Sequence, residues 1–247
     1  MGHLILNADD WGYDQTTTDR ILDCISCGTV SSVSGMVFME DSERAAAIAG
    51  REGIDVGLHL NLTTPFTATS RPARLREKQR EIAVYLLRSR LSRIVMNPRL
   101  AGAFDYVVKA QREEFCRLYG REAGRLDGHH HMHLSANILL SRLLPSRTVI
   151  RRHFSYELGE KRVRNSFFRR FSGLLLNRRH RLVDYFFSLT PIEYPDRLRG
   201  IFSLAQMHCV EVETHPANAN EYQFLVSGEI FRYTGNTPIS PRFATEA

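Results

Sequence analysis

The stretch His3-Leu4-Ile5-Leu6-Asn7-Ala8-Asp9-Asp10-Trp11-Gly12 consists of a short apolar run, two acids and a turn. Buried strands of parallel sheets are nearly continuous apolar runs, so residues 3–8 are predicted to form such a strand. In open α/β folds, ligands bind beyond the carboxyl ends of the strands, which is where Asp9 and Asp10 stand. The two acids are therefore candidate site residues, although an acidic pair alone is as typical of a turn or a helix cap.

Strands and helices alternate along the chain after this run. Thr16 or Thr17 is predicted to cap a first helix that Gly28 ends. Further strands are predicted at residues 29–38, 54–62, from Leu126 into the histidine stretch, and at 148–150, 183–189 and 207–213, with helices at 42–50, 137–144 and 221–230. Strands that alternate with helices imply βαβ units and a parallel sheet, so we expect an α/β fold.

Two basic segments interrupt this alternation. Residues 67–120 are arginine-rich and predicted to be mostly helical, and residues 151–182 combine basic and aromatic side chains. The second segment has one apolar stripe at helical spacing, formed by Phe167, Phe168, Phe171, Leu174 and Leu175. A stripe of this kind either packs on the body of the protein or, among arginines, lies on an anionic membrane surface. The sequence leaves both alternatives open.

Composition limits the class of protein. The chain has 247 residues, 43% hydrophobic and 24% charged, which is ordinary for a soluble globular protein of one large or two small domains. We expect a cytoplasmic protein, because neither a signal peptide nor a membrane-spanning run is visible. Its four cysteines do not suggest a disulfide framework. The net charge of +6 fits an anionic partner or simply a solvated basic surface.

The histidines concentrate in one stretch, Asp127-Gly128-His129-His130-His131-Met132-His133, which holds four of the ten in the chain. Imidazole is the commonest metal ligand of proteins. If the stretch is extended, His129, His131 and His133 share one face and His130 points to the other. An exposed polar loop or a purification tag is the alternative. An apolar helical pattern follows the stretch, which favours a metal or catalytic centre.

Several acids and histidines stand where predicted strands end: Asp9, Asp10, His59, Asp127, His129 and His215. The ends of parallel strands meet at one rim, so these side chains are expected to lie together. One carboxylate and two imidazoles would form an open metal site, and a second carboxylate would be free to act as a base. Taken singly, His59 is equally typical of a hydrogen-bonded core histidine, and His215-Pro216 of a turn.

Four blocks carry a resemblance to a known family: Asn7-Ala8-Asp9-Asp10-Trp11-Gly12, Gly57-Leu58-His59-Leu60-Asn61-Leu62-Thr63, the histidine stretch, and Thr214-His215-Pro216. In this order they resemble the signature blocks of the YdjC-like carbohydrate deacetylases, the group of the chitooligosaccharide deacetylases and the hopanoid-associated HpnK proteins. Trp11 and Gly128 stand where the family usually has Phe and Ser. The resemblance implies a single domain over residues 1–247, an irregular (β/α) barrel of TIM-like type with basic helical excursions at about 67–120 and 151–182.

The resemblance also implies an enzyme, a metal-dependent hydrolase that removes acetyl from an N-acetylated sugar or glycolipid. Asp10, His59 and His129 would bind a divalent ion, Mg or Zn. Asp9 would be the catalytic base and His215 the acid. Asp127, His131, His133 and Asn61 are expected to support these ligands or contact the substrate, since ligating histidines usually bond to a second carboxylate.

Two other functions remain open on the sequence. A metal-dependent phosphoesterase would also use a cluster of aspartate and histidine. A non-enzymatic nucleic-acid-binding module would use the arginines and phenylalanines of the basic segments. The sequence lacks the RRM, KH and helix-turn-helix signatures, so we expect no nucleic-acid partner. A homodimer and a peripheral contact with an anionic membrane both stay open.

Overall fold

The computed structural model describes residues 2–69, 72–155, 173 and 176–243. Seven strands form one entirely parallel sheet in the order β5-β4-β3-β2-β1-β7-β6. The strands are β1 (His3–Trp11), β2 (Ser32–Gly35), β3 (Val56–Leu60), β4 (Arg125–Gly128), β5 (Val149–Ile150), β6 (Tyr185–Ser188) and β7 (Cys209–Thr214). The first strand of the chain therefore lies in the middle of the sheet, between β2 and the last strand.

Helices follow most of the strands. They are α1 (Gln15–Ser26), α2 (Ser42–Glu52), α3 (Ala73–Arg88), α4 (Leu91–Ile94), α5 (Ala101–Tyr119), α6 (Ala136–Leu140), α7 (Pro195–Leu204), α8 (Ala219–Val226) and α9 (Phe231–Thr234), with 3-10 turns at Pro98–Leu100 and His129–Leu134. The helices α3 to α5 lie between β3 and β4, which confirms the prediction that residues 67–120 are mostly helical. No helix in the described part of the chain is long and apolar enough to cross a membrane.

The sheet curls until its two edges approach each other. The amide of Ile150 in β5 donates to the carbonyl of Arg181, and the amide of Ser155 donates to the carbonyl of Phe186 in β6. These hydrogen bonds link the β5 edge to the segment that enters β6, without a regular ladder between the two strands. The expected irregular (β/α) barrel of TIM-like type is confirmed.

The two faces of the sheet have different chemistry. In β1, Leu4, Leu6 and Ala8 belong to the large apolar core that lies between the sheet and the helices. The alternate residues face the inside of the barrel, because side chains of a strand point to opposite faces in turn. Of these, Asn7 and Asp9 are buried among polar partners. The barrel interior is therefore polar at the end where the strands finish, and this is what positions the site.

Three local predictions are wrong. The cap of α1 is Asp14, whose carboxylate accepts a hydrogen bond from the Thr17 amide at 2.7 Å, and not Thr16 or Thr17. The second strand covers only Ser32–Gly35 of the expected residues 29–38. The histidine stretch is not extended, since His129–Leu134 form a 3-10 turn. The predicted apolar stripe from Phe167 to Leu175 lies outside the described residues.

Candidate active site

The end of β1 carries both acids of the candidate site. In a regular strand, Asp9 and Asp10 would point to opposite faces. Asp10 has a left-handed backbone with φ of 68°, and the pairing of β1 with β2 shifts register between Ala8 and Trp11. Non-glycine residues adopt this conformation rarely and at a cost, and such positions cluster at functional sites. With this irregularity, Asp10 joins the group described next, and Asp9 lies beside it among other acids and histidines.

Asp10, His59 and His129 form a group of three side chains that is placed to bind a metal ion. The Oδ1 atom of Asp10 lies 3.0 Å from Nδ1 of His129 and 3.4 Å from Nε2 of His59. This oxygen is buried, yet neither contact has the geometry of a hydrogen bond. A buried carboxylate oxygen that faces two imidazole nitrogens without a proper donor fits a cation between them, with ligand types that divalent zinc prefers.

The charges of this group agree with such a cation. Burial would raise the pKa of Asp10, but the contacts with His129 and His59 outweigh it and hold the pKa well below its usual range. Burial would lower the pKa of His59, whereas the charges of Asp127 and Asp9 and the contact with Asp10 raise it well above its usual range. A metal ion would supply the positive charge that a proton on His59 otherwise provides.

Asp127 supports His59 from behind. Its Oδ1 lies 2.8 Å from Nδ1 of His59, and its Oδ2 accepts a hydrogen bond of 2.6 Å from the hydroxyl of Ser34. Burial opposes ionisation, but the charges of Arg151 and His59 depress the pKa of Asp127 far below its usual value. A carboxylate in this place fixes the ring orientation and leaves Nε2 of His59 as the ligating atom.

The 3-10 turn after β4 sends its histidines in different directions. His130 and His131 both have left-handed φ values of 56°. The ring of His130 packs against the ring of His129, and its Nδ1 lies 3.1 Å from the hydroxyl of Thr63. A Cβ at Gly128 would lie 3.0 Å from the ring of His133, so a side chain here would require the ring to shift. The predicted alternation of faces in this stretch is wrong because the backbone turns rather than extends.

The last two histidines of the stretch lie in the barrel wall. His133 is fully buried, and its Nε2 lies 3.0 Å from the carbonyl of Arg151. Burial lowers the pKa of His133 to about 4 and that of His131 well below its usual value, so both rings are neutral at pH 7. His131 packs edge-on against Phe154 and has Nε2 3.7 Å from Glu213. Full burial excludes His133 from substrate contact and leaves it a structural part of the site.

Arg151 joins the carboxylates of the barrel interior. It donates to both oxygens of Asp9, at 2.6 and 2.8 Å, and lies 2.7 Å from Oδ2 of Asp127. Its Nε donates to Glu211 at 2.7 Å, and Glu213 lies 3.4 Å from Nη1. The guanidinium is almost completely buried, with a side-chain exposure of 1%. Its rigid fork of donors suits several carboxylates at once, which an ammonium group would not match.

Four carboxyl groups around one guanidinium leave an excess of negative charge. Burial raises the pKa of Glu211 to about 7, even though Arg151 acts in the opposite direction. Burial and the charge of Asp9 raise the pKa of Glu213 well above its usual value. The raised pKa values favour the protonated form of both acids, and Glu211 is partly protonated at neutral pH. These two acids relieve the excess, and Asp9 and Asp127 keep the arginine as their counter-ion.

His215 follows β7 at the open side of the cluster. Its Nε2 lies 3.8 Å from Oδ2 of Asp9, and its side chain is 38% exposed. The amide of His215 donates to the carboxylate of Glu221 at 2.7 Å, which fixes the turn that carries the ring. Asp9 thus has the metal-site group on one side and a solvent-accessible imidazole on the other. This arrangement can move a proton to or from a group bound between them.

Asn61 organises the loop after β3 and does not face the cleft. It is fully buried, with its side-chain oxygen accepting from the amide of Thr64 at 2.9 Å and its amide group donating to the Thr64 carbonyl. Gln111 of α5 bonds to both the backbone amide and the carbonyl of Asn61. The helical insertion therefore holds the loop whose Thr63 contacts His130.

The sequence alone missed Arg151, Glu211 and Glu213 as site residues. Arg151 directly follows the short strand at residues 148–150, so the same strand-end argument would have selected it. Its place at the start of the basic segment 151–182 hides this signal. Glu211 and Glu213 alternate within a buried apolar strand, which is an available signal for side chains that face a polar interior.

Two proteins that are similar to part of this chain are named as deacetylases. A chitooligosaccharide deacetylase of Enterobacter sp. (strain 638) is 32% identical over 133 residues, which cover 53% of this chain and 50% of the relative. A carbohydrate deacetylase of Mus musculus is 34% identical over 141 residues, or 53% and 43% of the two chains. The chain thus spans about half the length of the curated relatives it matches.

A solved structure and a family model cover far more of the chain. A protein of Enterococcus faecalis V583, provisionally named as a cellobiose-phosphate cleavage protein, superposes with a TM-score of 0.69 over 99% of this chain and 97% of that one. Its sequence identity is 18%, so this likeness shows the fold alone. The family model described as YdjC-like protein matches residues 3–234. The chain belongs to the YdjC-like protein family.

Proposed function

We propose that this protein is a metal-dependent hydrolase that removes the acetyl group from an N-acetylated sugar or glycoconjugate. The observation that carries the proposal is the adjacency of Asp9 to the group formed by Asp10, His59 and His129, with His215 on its other side. A metal-binding group, a base and an acid are the parts that amide hydrolysis requires. The deacetylase names of the two relatives support the same reaction.

Asp10, His59 and His129 would hold the ion, which when bound lowers the pKa of a water molecule and polarises the acetyl carbonyl. Two imidazoles and one carboxylate favour zinc or another late first-row divalent ion over magnesium, which prefers oxygen ligands. Asp127 keeps His59 in the orientation that exposes Nε2.

Asp9 is the proposed base. Its carboxylate accepts the proton of the attacking water, while the two hydrogen bonds from Arg151 hold it in one orientation. A carboxylate that is already held in its reactive orientation lowers the entropic part of the activation barrier. The two acids have separate proposed roles. Asp9 accepts the proton, whereas Oδ1 of Asp10, which is buried without a hydrogen-bond partner, would bind the metal ion.

His215 is the proposed acid. The nitrogen of an amide leaves poorly unless it is protonated as the bond breaks. His215 is accessible to solvent and lies next to Asp9, so its protonated ring can donate to the leaving amine. The hydrogen bond from its backbone amide to Glu221 fixes the turn that carries the ring at the cleft.

Acetate release from a panel of N-acetylated sugars and glycolipids, with and without a chelator, tests the reaction. Metal content and turnover are then compared for Asp9→Asn and Asp10→Asn. We expect Asp9→Asn to retain the ion and lose turnover, and Asp10→Asn to lose both. Asp196→Asn, at a fully exposed position, is the matched control and should change neither. Loss of the ion from Asp9→Asn alone would reverse the two assignments, and phosphate release from sugar phosphates without acetate release would replace the proposal by a phosphoesterase.

A further inference from the structure

The helices α3 and α4 present an apolar surface to solvent. Five large apolar side chains on this surface have exposed fractions between 44% and 66%: Val84, Leu87, Leu91, Ile94 and Val95. Exposed arginines accompany them at positions 88, 90 and 93. We call these eight residues the α3–α4 face. Single exposed apolar residues are common, but a contiguous group of this kind usually marks an interaction site.

The apolar residues of this face are not needed for the core. The inner side of α3 packs on the barrel through Leu75, Ile82 and Leu86, all fully buried. Val84 and Leu87 lie on the outer side of the same helix. The hydroxyl of Tyr85 donates to the carbonyl of Val95 at 2.7 Å, which holds α4 against α3 and brings the two sets of apolar residues together. The fold therefore maintains an apolar surface in contact with water.

The charged residues of the α3–α4 face itself are all basic. Between Ile82 and Phe104 the sequence contains four arginines and neither aspartate nor glutamate. Two copies of the chain that met through this face would bring their arginines together, which like-charge repulsion opposes. An anionic surface with an apolar interior complements both features, because arginines remain at the headgroups while leucine and isoleucine enter the acyl boundary.

The α3–α4 face adjoins the candidate active site. Helix α4 packs against α6, and Asn97, just beyond α4, exchanges two hydrogen bonds with Asn137 of α6, at 2.9 and 2.8 Å. Helix α6 directly follows the 3-10 turn that carries His129 and His130. The α3–α4 face is therefore linked through α6 to the turn that carries two histidines of the site.

We propose that the α3–α4 face docks the protein on an anionic lipid bilayer surface. The inference stands on the apolar and basic residues of this face and is independent of the proposed deacetylation. Docking would also set the position of the protein on the bilayer. The cleft of a docked protein would lie at the level of the lipid headgroups, where the sugar of a glycolipid lies. The interaction is peripheral, because it uses exposed side chains of amphipathic helices.

Sedimentation with vesicles tests the docking surface on the full chain. Vesicles of phosphatidylcholine mixed with phosphatidylglycerol are compared with vesicles of phosphatidylcholine alone, at low and high salt. We expect binding only to the anionic vesicles and weaker binding at high salt. Leu91→Asp should weaken binding about tenfold or more, and Arg90→Glu about fivefold or more. Thermal stability should stay unchanged, because both side chains are exposed.

Two matched variants control for the added charge. Met207→Asp changes an apolar residue that is 83% exposed elsewhere, and Arg232→Glu reverses an exposed arginine on α9. Both should bind vesicles as the unchanged chain does. The proposal is overturned if the chain binds no anionic vesicles, or if all four variants bind alike. It is also overturned if Leu91→Asp and Arg90→Glu instead abolish a concentration-dependent dimer or the binding of another protein while vesicle binding is absent. Because the readout is sedimentation, these results do not depend on acetate release.

Discussion

Arg151 holds both carboxylate oxygens of Asp9, at 2.6 and 2.8 Å, across 142 positions of sequence. Lysine at this position could keep the charge but not the paired geometry. We expect Arg151→Lys to lower kcat at least tenfold with little change in KM and with the metal content retained, because Asp9 loses its fixed orientation. Steady-state kinetics and metal analysis measure this. Arg151→Met, which leaves the carboxylates without a counter-ion, should reduce the free energy of unfolding by about 3–5 kcal/mol.

Arg125 offers the matched control for this prediction. It is also buried, and it bonds to Asp55, to the carbonyl of Val33 and to Asn7, so it reaches Asp9 only through Asn7 and not directly. Arg125→Lys should reduce stability while kcat of the folded protein stays near that of the unchanged chain. Equal losses of kcat in the two variants would assign the effect of Arg151 to general stability.

Glu211 makes the stability of the protein depend on pH. Its pKa is raised from 4.5 to about 7, so between these values the folded chain holds a proton that the unfolded chain has released. The free energy of unfolding therefore falls as the pH rises through this range. Glu211→Gln cannot titrate, and we expect it to remove a decline on the order of 3 kcal/mol from the pH profile measured by denaturant unfolding. Glu229→Gln, at an exposed position, should leave the profile as it is, and an unchanged slope in Glu211→Gln would contradict the raised pKa.

Asp127 should control metal affinity without binding the ion. Its contact with Nδ1 of His59 orients the ring and makes Nε2 a better ligand. Asp127→Asn keeps the size of the side chain and removes the charge, so we expect the metal Kd to rise about 10–100-fold. Titration calorimetry with zinc measures this, with Asp196→Asn as the control. An unaltered Kd would show that the orientation of His59 does not depend on this carboxylate.

Gln111 should stabilise the conformation of the loop after β3. It accepts from the buried amide of Asn61 at 2.7 Å, and leucine would leave that amide without this partner. We expect Gln111→Leu to reduce the free energy of unfolding by about 1–3 kcal/mol. The KM for the proposed N-acetylated sugar substrate should rise as well, because Thr63 on this loop contacts His130. Gln206→Leu, at an exposed position, is the control. A drop in stability with KM unchanged would separate the loop from substrate binding.

The strand-end argument predicted the close approach of Asp10, His59 and His129 for a physical reason. Parallel strands finish at one edge of the sheet, so residues that follow apolar runs meet there whatever the length of the connections. The same argument does not tell which atoms pair. The bidentate contact of Arg151 and the raised pKa values of Glu211 and Glu213 depend on how deeply each group is buried, and no short-range pattern measures that depth.

The histidine stretch shows a second limit. Alternation along an extended segment was the natural prediction, but His130 and His131 adopt left-handed conformations that few residues other than glycine and asparagine favour. The turn is stabilised by distant groups, among them Thr63 and the carbonyl of Arg151. Local preference and tertiary contacts disagree here, and such disagreement is common where a site is built.

The central place of β1 has a consequence for synthesis of the chain. Its residues pair with β7 from His3–Cys209 to Ala8–Thr214, and Asp9 meets its counter-ion only when residue 151 is present. A nascent chain that ends before residue 151 therefore leaves the β7 side of β1 unpaired, and its Asp9 lacks the arginine that neutralises it. Fragments from the amino-terminal half are expected to aggregate on expression. The sheet around β1 is complete only after β7 has left the ribosome.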